Sequence, residues 1–249
     1  PLEALREGCG ARSSPTMKFF EWKERCMEST KTRSEATQRT RSVVFVGLTI
    51  AIMAVSAWVV VPLGPIPFTL QMFAITFAIV VLSPKEAIAA ITGYLLLGAV
   101  GVPVFSGMRG GIGVLAGPTG GFLWGYLFGV AAAALFLHAV RTRLGMAGGK
   151  NAPRLTRAEK TAMTPLQRAG AFLRSFGVEI IAGIIFTVIA YVCGCAQYMV
   201  VGHVDLATAF LTAVAPFMMV DFCKIVAAVI CADAAVSYTH LTLPTNSRV

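Results

Sequence analysis

Charge is what this 249-residue sequence has least of: 13% of its residues are Asp, Glu, Lys or Arg, against about 25% in a typical soluble domain. That deficit excludes an ordinary soluble fold before any segment is considered. No GxxxxGK[ST] run occurs, and Gly148-Gly149-Lys150-Asn151 is only its superficial echo, so the chain has no phosphate-cradling ATPase motif of its own. There are six cysteines and no CxxC pair, and Cys193-Gly194-Cys195 has no histidine nearby to complete a zinc site. No metal or cofactor is expected, and the cysteines read as small apolar fillers. Histidine is scarce as well: His138 and His203 fall at the ends of apolar runs, where a solvated ring is the simpler reading. No secretory signal peptide is expected, because no small-residue cleavage site follows the first apolar run. No internal repeat and no nucleic-acid module is visible.

What the sequence has instead is apolar length. It is 56% hydrophobic, with a mean hydropathy of +0.74. At about 20 residues per span the chain holds one compact bundle of about six helices. The pattern predicts spans over residues 43–61, 68–82, 87–100, 122–140 and 176–199, with a last span following Pro216. Residues 1–41 are polar and predict a cytoplasmic arm, disordered or interfacial, with Met17 a candidate start. Residues 42–236 make the membrane domain, and residues 237–249 read as a tail that is not native, similar to translated sequencing adapter. Residues 62–67 predict a rigid turn, the Ser83-Pro84-Lys85-Glu86 stretch a break, and residues 156–173 are compatible with a surface helix.

The net charge of +9 would suggest nucleic acid in a soluble protein. Here the basic residues are distributed between the apolar runs. Nine precede Val43, Lys85 follows the second run, eight lie between Arg141 and Arg174, and Arg248 comes last. Only Arg109 and Lys224 fall elsewhere. By the positive-inside rule this arrangement predicts six spans in the cytoplasmic membrane with both termini cytoplasmic.

Two stretches break the apolar pattern. Asp221 and Lys224 lie inside the last run, three residues apart and so on one face of a helix. Each charge costs roughly 2.5–3.5 kcal/mol at the centre of a spanning helix, which marks a ligand site or, alternatively, a self-neutralising pair that holds the bundle together. The second stretch is residues 101–121, dense in glycine and without helical or strand periodicity. It predicts a non-helical loop, permissible at membrane depth only where protein or a water-filled cavity covers it. Arg109 on this loop would face a cavity floored by Asp221 and Lys224. Such a chamber suits a small solute with an anionic end and a hydrogen-bonding head, its apolar part held by Phe105, Tyr94 and Trp124.

The residues also carry a resemblance. Gly64-Pro65-Ile66-Pro67-Phe68-Thr69-Leu70-Gln71 is similar to the PvPvTlQ segment of the BioY family, the biotin-specific substrate-binding (S) components of energy-coupling factor (ECF) transporters. Tyr94-Leu95-Leu96-Leu97-Gly98-Ala99-Val100-Gly101-Val102-Pro103-Val104-Phe105 matches its YLLLGaxGxPVF segment. Gly117-Pro118-Thr119-Gly120-Gly121-Phe122 matches GPTGGy, and Pro216-Phe217 with Asp221-Phe222-Cys223-Lys224 matches PF…DxxK. The resemblance implies an all-α, six-transmembrane-helix S-component bundle with a Gly-rich loop between helices 3 and 4. It implies biotin as the transported ligand, with a transmembrane coupling protein (T component) and ABC-type ATPase subunits as partners. Asp221 and Lys224 would then contact biotin, Arg109 would be a carboxylate partner, and Thr69, Gln71 and Tyr94 would be further lining residues. In this group the first helix carries an AxxxA contact for the coupling protein; the nearest match is Gly47 and Ala51, with Ala54 a little further on.

Other readings remain open at this point: an S component for another vitamin, an integral-membrane enzyme using Asp221, or a purely structural subunit. An enzyme would need a second titratable group placed for proton transfer, a nucleophile or a metal cluster. The spans offer little beyond Asp221, Lys224, Glu179 near one end, and Asp233.

Overall fold

The computed structural model describes residues 19–61, 68–143 and 165–242. The chain divides into two compact units, Pro1–Phe45 and Val46–Val249. The elements in order are α1 (Phe19–Trp58), β1 (Val60–Val61), β2 (Phe68–Thr69), α2 (Gln71–Val81), α3 (Pro84–Val100), α4 (Ile112–Ala116), α5 (Gly120–Arg143), α6 (Pro165–Gly202), α7 (Leu206–Ala213) and α8 (Ala215–Thr242).

Among the described residues, four helical stretches are long and apolar enough to cross a bilayer: Ala36–Trp58, Gly120–Arg143, Leu173–Gly202 and Ala215–Ala235. Of the six runs expected to span, four form helices of this length, and the second and third form shorter ones. The second run is shortened because Phe68 and Thr69 go into β2, paired antiparallel with β1 in the register Val60 to Thr69 and Val61 to Phe68. That leaves α2 with 11 residues, about 16 Å of helix against a hydrocarbon core of about 30 Å. The third run forms a helix of 17 residues.

Other boundaries moved for identifiable reasons. The polar stretch read as an arm is helical from Phe19 onward; within it Thr40 bonds back to the Ala36 carbonyl and the Arg41 guanidinium sits 5.4 Å over the Phe45 ring. The stretch read as a break is a helix start. Pro84 occupies the first turn, the Ser83 hydroxyl accepts from Glu86 N–H, and the Glu86 carboxylate accepts from Ser83 N–H, a reciprocal cap. The loop read as non-helical contains α4, and α5 begins within it at Gly120. α6 begins at Pro165 and is continuous, so residues 165–173 belong to it; residues 156–164 lie outside the described residues, as do the 62–67 turn and residues 1–18. α8 runs on to Thr242, into the stretch set aside as a tail.

The most extensive helix pair in the second unit is α5 with α6, and a glycine stripe explains it. A Cβ at Gly121 would stand 2.4 Å from the Cys193 carbonyl oxygen, one at Gly125 2.7 Å from Ala190 Cα, and one at Gly129 2.8 Å from the Phe186 carbonyl oxygen. All three would meet backbone, so only glycine allows this approach. At one end Arg141 donates to Glu179 at 2.8 Å and reaches the Val80 carbonyl at 3.4 Å, tying α5 and α6 to the last turn of α2.

α8 packs chiefly on α2. Its buried positions are Phe217, Asp221, Lys224, Ile225, Ala228, Val229 and Ala232, a single face at helical spacing. Met218, Met219, Phe222 and Ile230 on the other face are exposed. This fixes the two charges toward the interior, where the Phe68 end of the hairpin meets them.

Candidate functional site

Asp221 and Lys224 do form a pair, one turn of α8 apart, with Lys224 Nζ 2.8 Å from Asp221 Oδ1. Asp221 is 4% exposed and Lys224 8%, so neither charge is neutralised by solvent. The remaining valences are met by groups from other elements. The Lys224 ammonium also donates to the Thr69 carbonyl at 2.7 Å and lies 3.6 Å from the centroid of the Phe68 ring. The Phe68 ring in turn stacks on Phe217 at 6.2 Å. The Tyr191 hydroxyl, from α6, donates to Asp221 Oδ2 at 2.6 Å. Opposite charge, charge-assisted hydrogen bonds and a cation–π contact together offset the cost of taking both ions out of water.

This network forms one wall of a cavity of about 90 Å³, well above the roughly 10–15 Å³ that one water requires. Thr69, Gln71, Arg109, Asp221 and Lys224, all singled out from sequence, line it together. Asp221 and Arg109 are 112 positions apart in the chain, and the fold brings them to the same chamber.

The opposite wall is the connection between α3 and α5. Gly101 ends α3 in the left-handed conformation (φ 109°), with Val102 N–H bonded back to the Leu97 carbonyl. The chain then reverses over residues 105–109. Phe105 and Arg109 exchange backbone hydrogen bonds of 2.9 and 3.4 Å, and Gly107 and Met108 between them have φ of 70° and 58°. Phe105 is pinned from behind: its ring lies against Gly98, where a Cβ would stand 2.0 Å away, and edge-on to Tyr94 at 5.6 Å. The far part of the connection hangs from α6, because the Gln197 amide donates to the Leu115 and Gly117 carbonyls at 2.8 and 2.7 Å.

Some expectations are corrected here. Tyr94 is fully buried behind the cavity rather than lining it; its hydroxyl accepts from Gln71 at 2.9 Å and donates to the Val104 carbonyl at 2.9 Å, so it positions Gln71 and the loop. Thr69 contributes its carbonyl to the charge pair. Of the three aromatics assigned to an apolar wall, Phe105 lines the cavity, whereas Trp124 is 42% exposed on the outside of α5. On α1, Gly47 and Ala51 are exposed but Ala54 is 7% exposed and turned into the bundle.

Sequence reasoning missed Tyr191, Tyr126, Ser106 and Thr119, which also line the cavity. Tyr191 and Tyr126 are hydroxyl-bearing aromatics inside predicted spans, a weak signal by itself, and only the neighbouring helix shows what the hydroxyl meets. Among the described residues no cluster of His, Cys, Asp and Glu able to hold a metal is present.

A bundle of long apolar helices that buries an ion pair against a polar chamber defines a multi-pass helical membrane protein. The chain belongs to the BioY family, whose model matches residues 27–240. It is 46% identical over 89 residues to the biotin transporter BioY of Thermotoga maritima, a match covering 36% of this chain and 53% of that protein. Over 85 residues it is 44% identical to a probable biotin transporter BioY of Pyrococcus horikoshii, covering 34% and 52%. A longer match, 32% identical over 145 residues, relates it to a probable biotin transporter BioY of Bacillus subtilis, covering 58% and 62%. The chain thus spans about half the length of the curated relatives it matches first. In fold it is similar to the crystal structure of the S-component for biotin from an ECF-type ABC transporter, with a TM-score of 0.62 at 20% identity, covering 81% of this chain and 93% of that one.

Proposed function

We propose that this chain is the biotin-binding S component of an ECF-type ABC transporter, a carrier subunit and not an enzyme. The observation that carries the reading is the buried Asp221–Lys224 pair on the wall of a polar cavity, in a chain of the BioY family. The relatives' names as biotin transporters and the fold likeness to a biotin S-component support it. Both Asp221 oxygens are already engaged by Lys224 and Tyr191, a poor arrangement for a free acid or base but a good one for recognition.

In this reading the ureido ring of biotin enters beside α8. Its N–H groups donate to Asp221, whose two oxygens have lone pairs beyond those met by Lys224 and Tyr191, and its oxygen accepts from Lys224. Arg109 faces the valerate carboxylate, and Thr69, Gln71 and, indirectly, Tyr94 shape the floor. Six helices, α1, α2, α3, α5, α6 and α8, make the S-component bundle, with both termini cytoplasmic by the distribution of basic residues. The chain has no phosphate-binding motif, so uptake draws energy from ABC-type ATPase subunits through a transmembrane T component. The exposed small residues Gly47 and Ala51 on α1 are the contact proposed for that component; the buried Ala54 is not part of it.

Equilibrium binding of labelled biotin to detergent-purified protein tests this directly. Wild type binds tightly, and Asp221→Asn and Lys224→Met each weaken binding at least ~100-fold, in line with losing hydrogen bonds to buried charged groups. A folded wild type that binds no biotin refutes the reading.

A further inference from the structure

The two walls of the cavity are not alike in what they leave unsatisfied. On the α8 side every charged atom is engaged: Lys224 with Thr69, Asp221 and the Phe68 ring, Asp221 with Lys224 and Tyr191. On the loop side Ser106 lines the cavity, and its hydroxyl is buried with no hydrogen-bond partner among the described residues. Arg109, three residues on, makes no ion pair among the described residues. A buried hydroxyl without a partner is uncommon in a folded protein and calls for a reason.

The local backbone places this hydroxyl deliberately. Ser106 follows Phe105, whose ring is fixed against Gly98 and Tyr94. The two hydrogen bonds between Phe105 and Arg109 close the turn, and the positive φ at Gly107 and Met108 keeps it tight. Ser106 and Arg109 are therefore carried on one short, stiff turn facing one chamber, a neutral donor beside a cationic one. An anionic oxygen pair fits this combination: the guanidinium supplies charge and the hydroxyl one directional bond.

We propose that Ser106 is a specificity-determining residue that donates its hydroxyl hydrogen bond to the carboxylate of the ligand, alongside Arg109. This rests on the biotin reading and adds to it a residue which discriminates an acid-ended from an apolar-ended side chain. Being buried, the Ser106 hydroxyl cannot fall back on bulk water when the ligand offers no acceptor.

The test compares two ligands on three proteins by equilibrium binding: biotin, and the same bicycle bearing an alkyl chain that ends in methyl. Wild type prefers biotin. Ser106→Ala lowers that preference by about tenfold, the ordinary worth of one hydrogen bond to a charged group, while its affinity for the methyl-ended ligand stays within twofold of wild type. Ser106→Cys, similar in shape but a poor donor, shows the same selective loss and covers the case in which Ser106→Ala does not fold. Variants that keep the full wild-type preference, or weaken both ligands equally, overturn the proposal. A wild type that binds neither ligand instead removes the biotin reading on which it stands, an outcome distinguishable by the wild type alone.

Discussion

Lys224 Nζ lies 2.7 Å from the carbonyl oxygen of Thr69, 155 residues earlier in the chain. One ammonium group thereby neutralises Asp221 and closes the hairpin strand over the cavity. The two roles couple the site to the fold. Removing one partner of a buried pair costs about 3–5 kcal/mol because the other charge is left uncompensated. We therefore expect Asp221→Asn and Lys224→Met each to lower the thermal midpoint of the detergent-solubilised protein. The double variant should be at least about 1 kcal/mol more stable than the sum of the two losses predicts. Additive losses in that thermal-shift cycle would show that the pair contributes nothing as a pair.

Tyr191 reaches across from α6 to Asp221 with a 2.6 Å bond. Tyr191→Phe keeps the ring and deletes the donor, so one carboxylate oxygen loses a partner worth about 1.5–3 kcal/mol. Calorimetric titration should find biotin bound roughly tenfold or more weakly, with the helix content by circular dichroism unchanged. Unaltered affinity would mean that Tyr191 is displaced from Asp221 when ligand binds.

Gly125 faces Ala190 so closely that a Cβ would sit 2.7 Å from the Ala190 Cα, with the Ala190 carbonyl oxygen 3.0 Å away. Gly125→Ala thus forces α5 and α6 apart, and overpacking of this kind costs about 1–3 kcal/mol. Gly47→Ala is the matched control, since nothing lies within 4 Å of its Cβ position and alanine favours the helix by about 1 kcal/mol. The thermal midpoint should fall in the first variant and hold or rise in the second.

Asp205 caps α7 from outside the spans, accepting from both the hydroxyl and the N–H of Thr208. The Thr208 hydroxyl, its N–H and nearby backbone N–H groups hold the Asp205 carboxyl below the usual carboxylate range. A carboxylate with a depressed pKa stabilises the fold above its unfolded pKa, near 4, and loses that contribution as pH falls through its lowered native value. Hydrogen exchange at the first turn of α7 should accelerate as pH drops below about 4, after correction for the intrinsic rate. Asp205→Asn should flatten that dependence.

By itself the sequence determined the class of environment and the chemistry of one wall. The charge deficit required a membrane, and the spacing of Asp221 and Lys224 required a shared helix face, because three positions on a helix is a local geometric fact. The family segments pointed to Thr69 and Gln71, and the glycine-rich stretch to Arg109, all three of which line the cavity. What the sequence could not determine was anything set by a contact between elements. The Thr69 carbonyl under Lys224, the Tyr191 hydroxyl on Asp221 and the orphaned Ser106 hydroxyl each depend on where a second element lies. Span lengths also escaped the hydropathy pattern, because Phe68 and Thr69 are as apolar in a hairpin as in a helix and only the pairing with β1 decided between them. Periodicity reports which face of an element is buried; tertiary packing alone decides what that face meets.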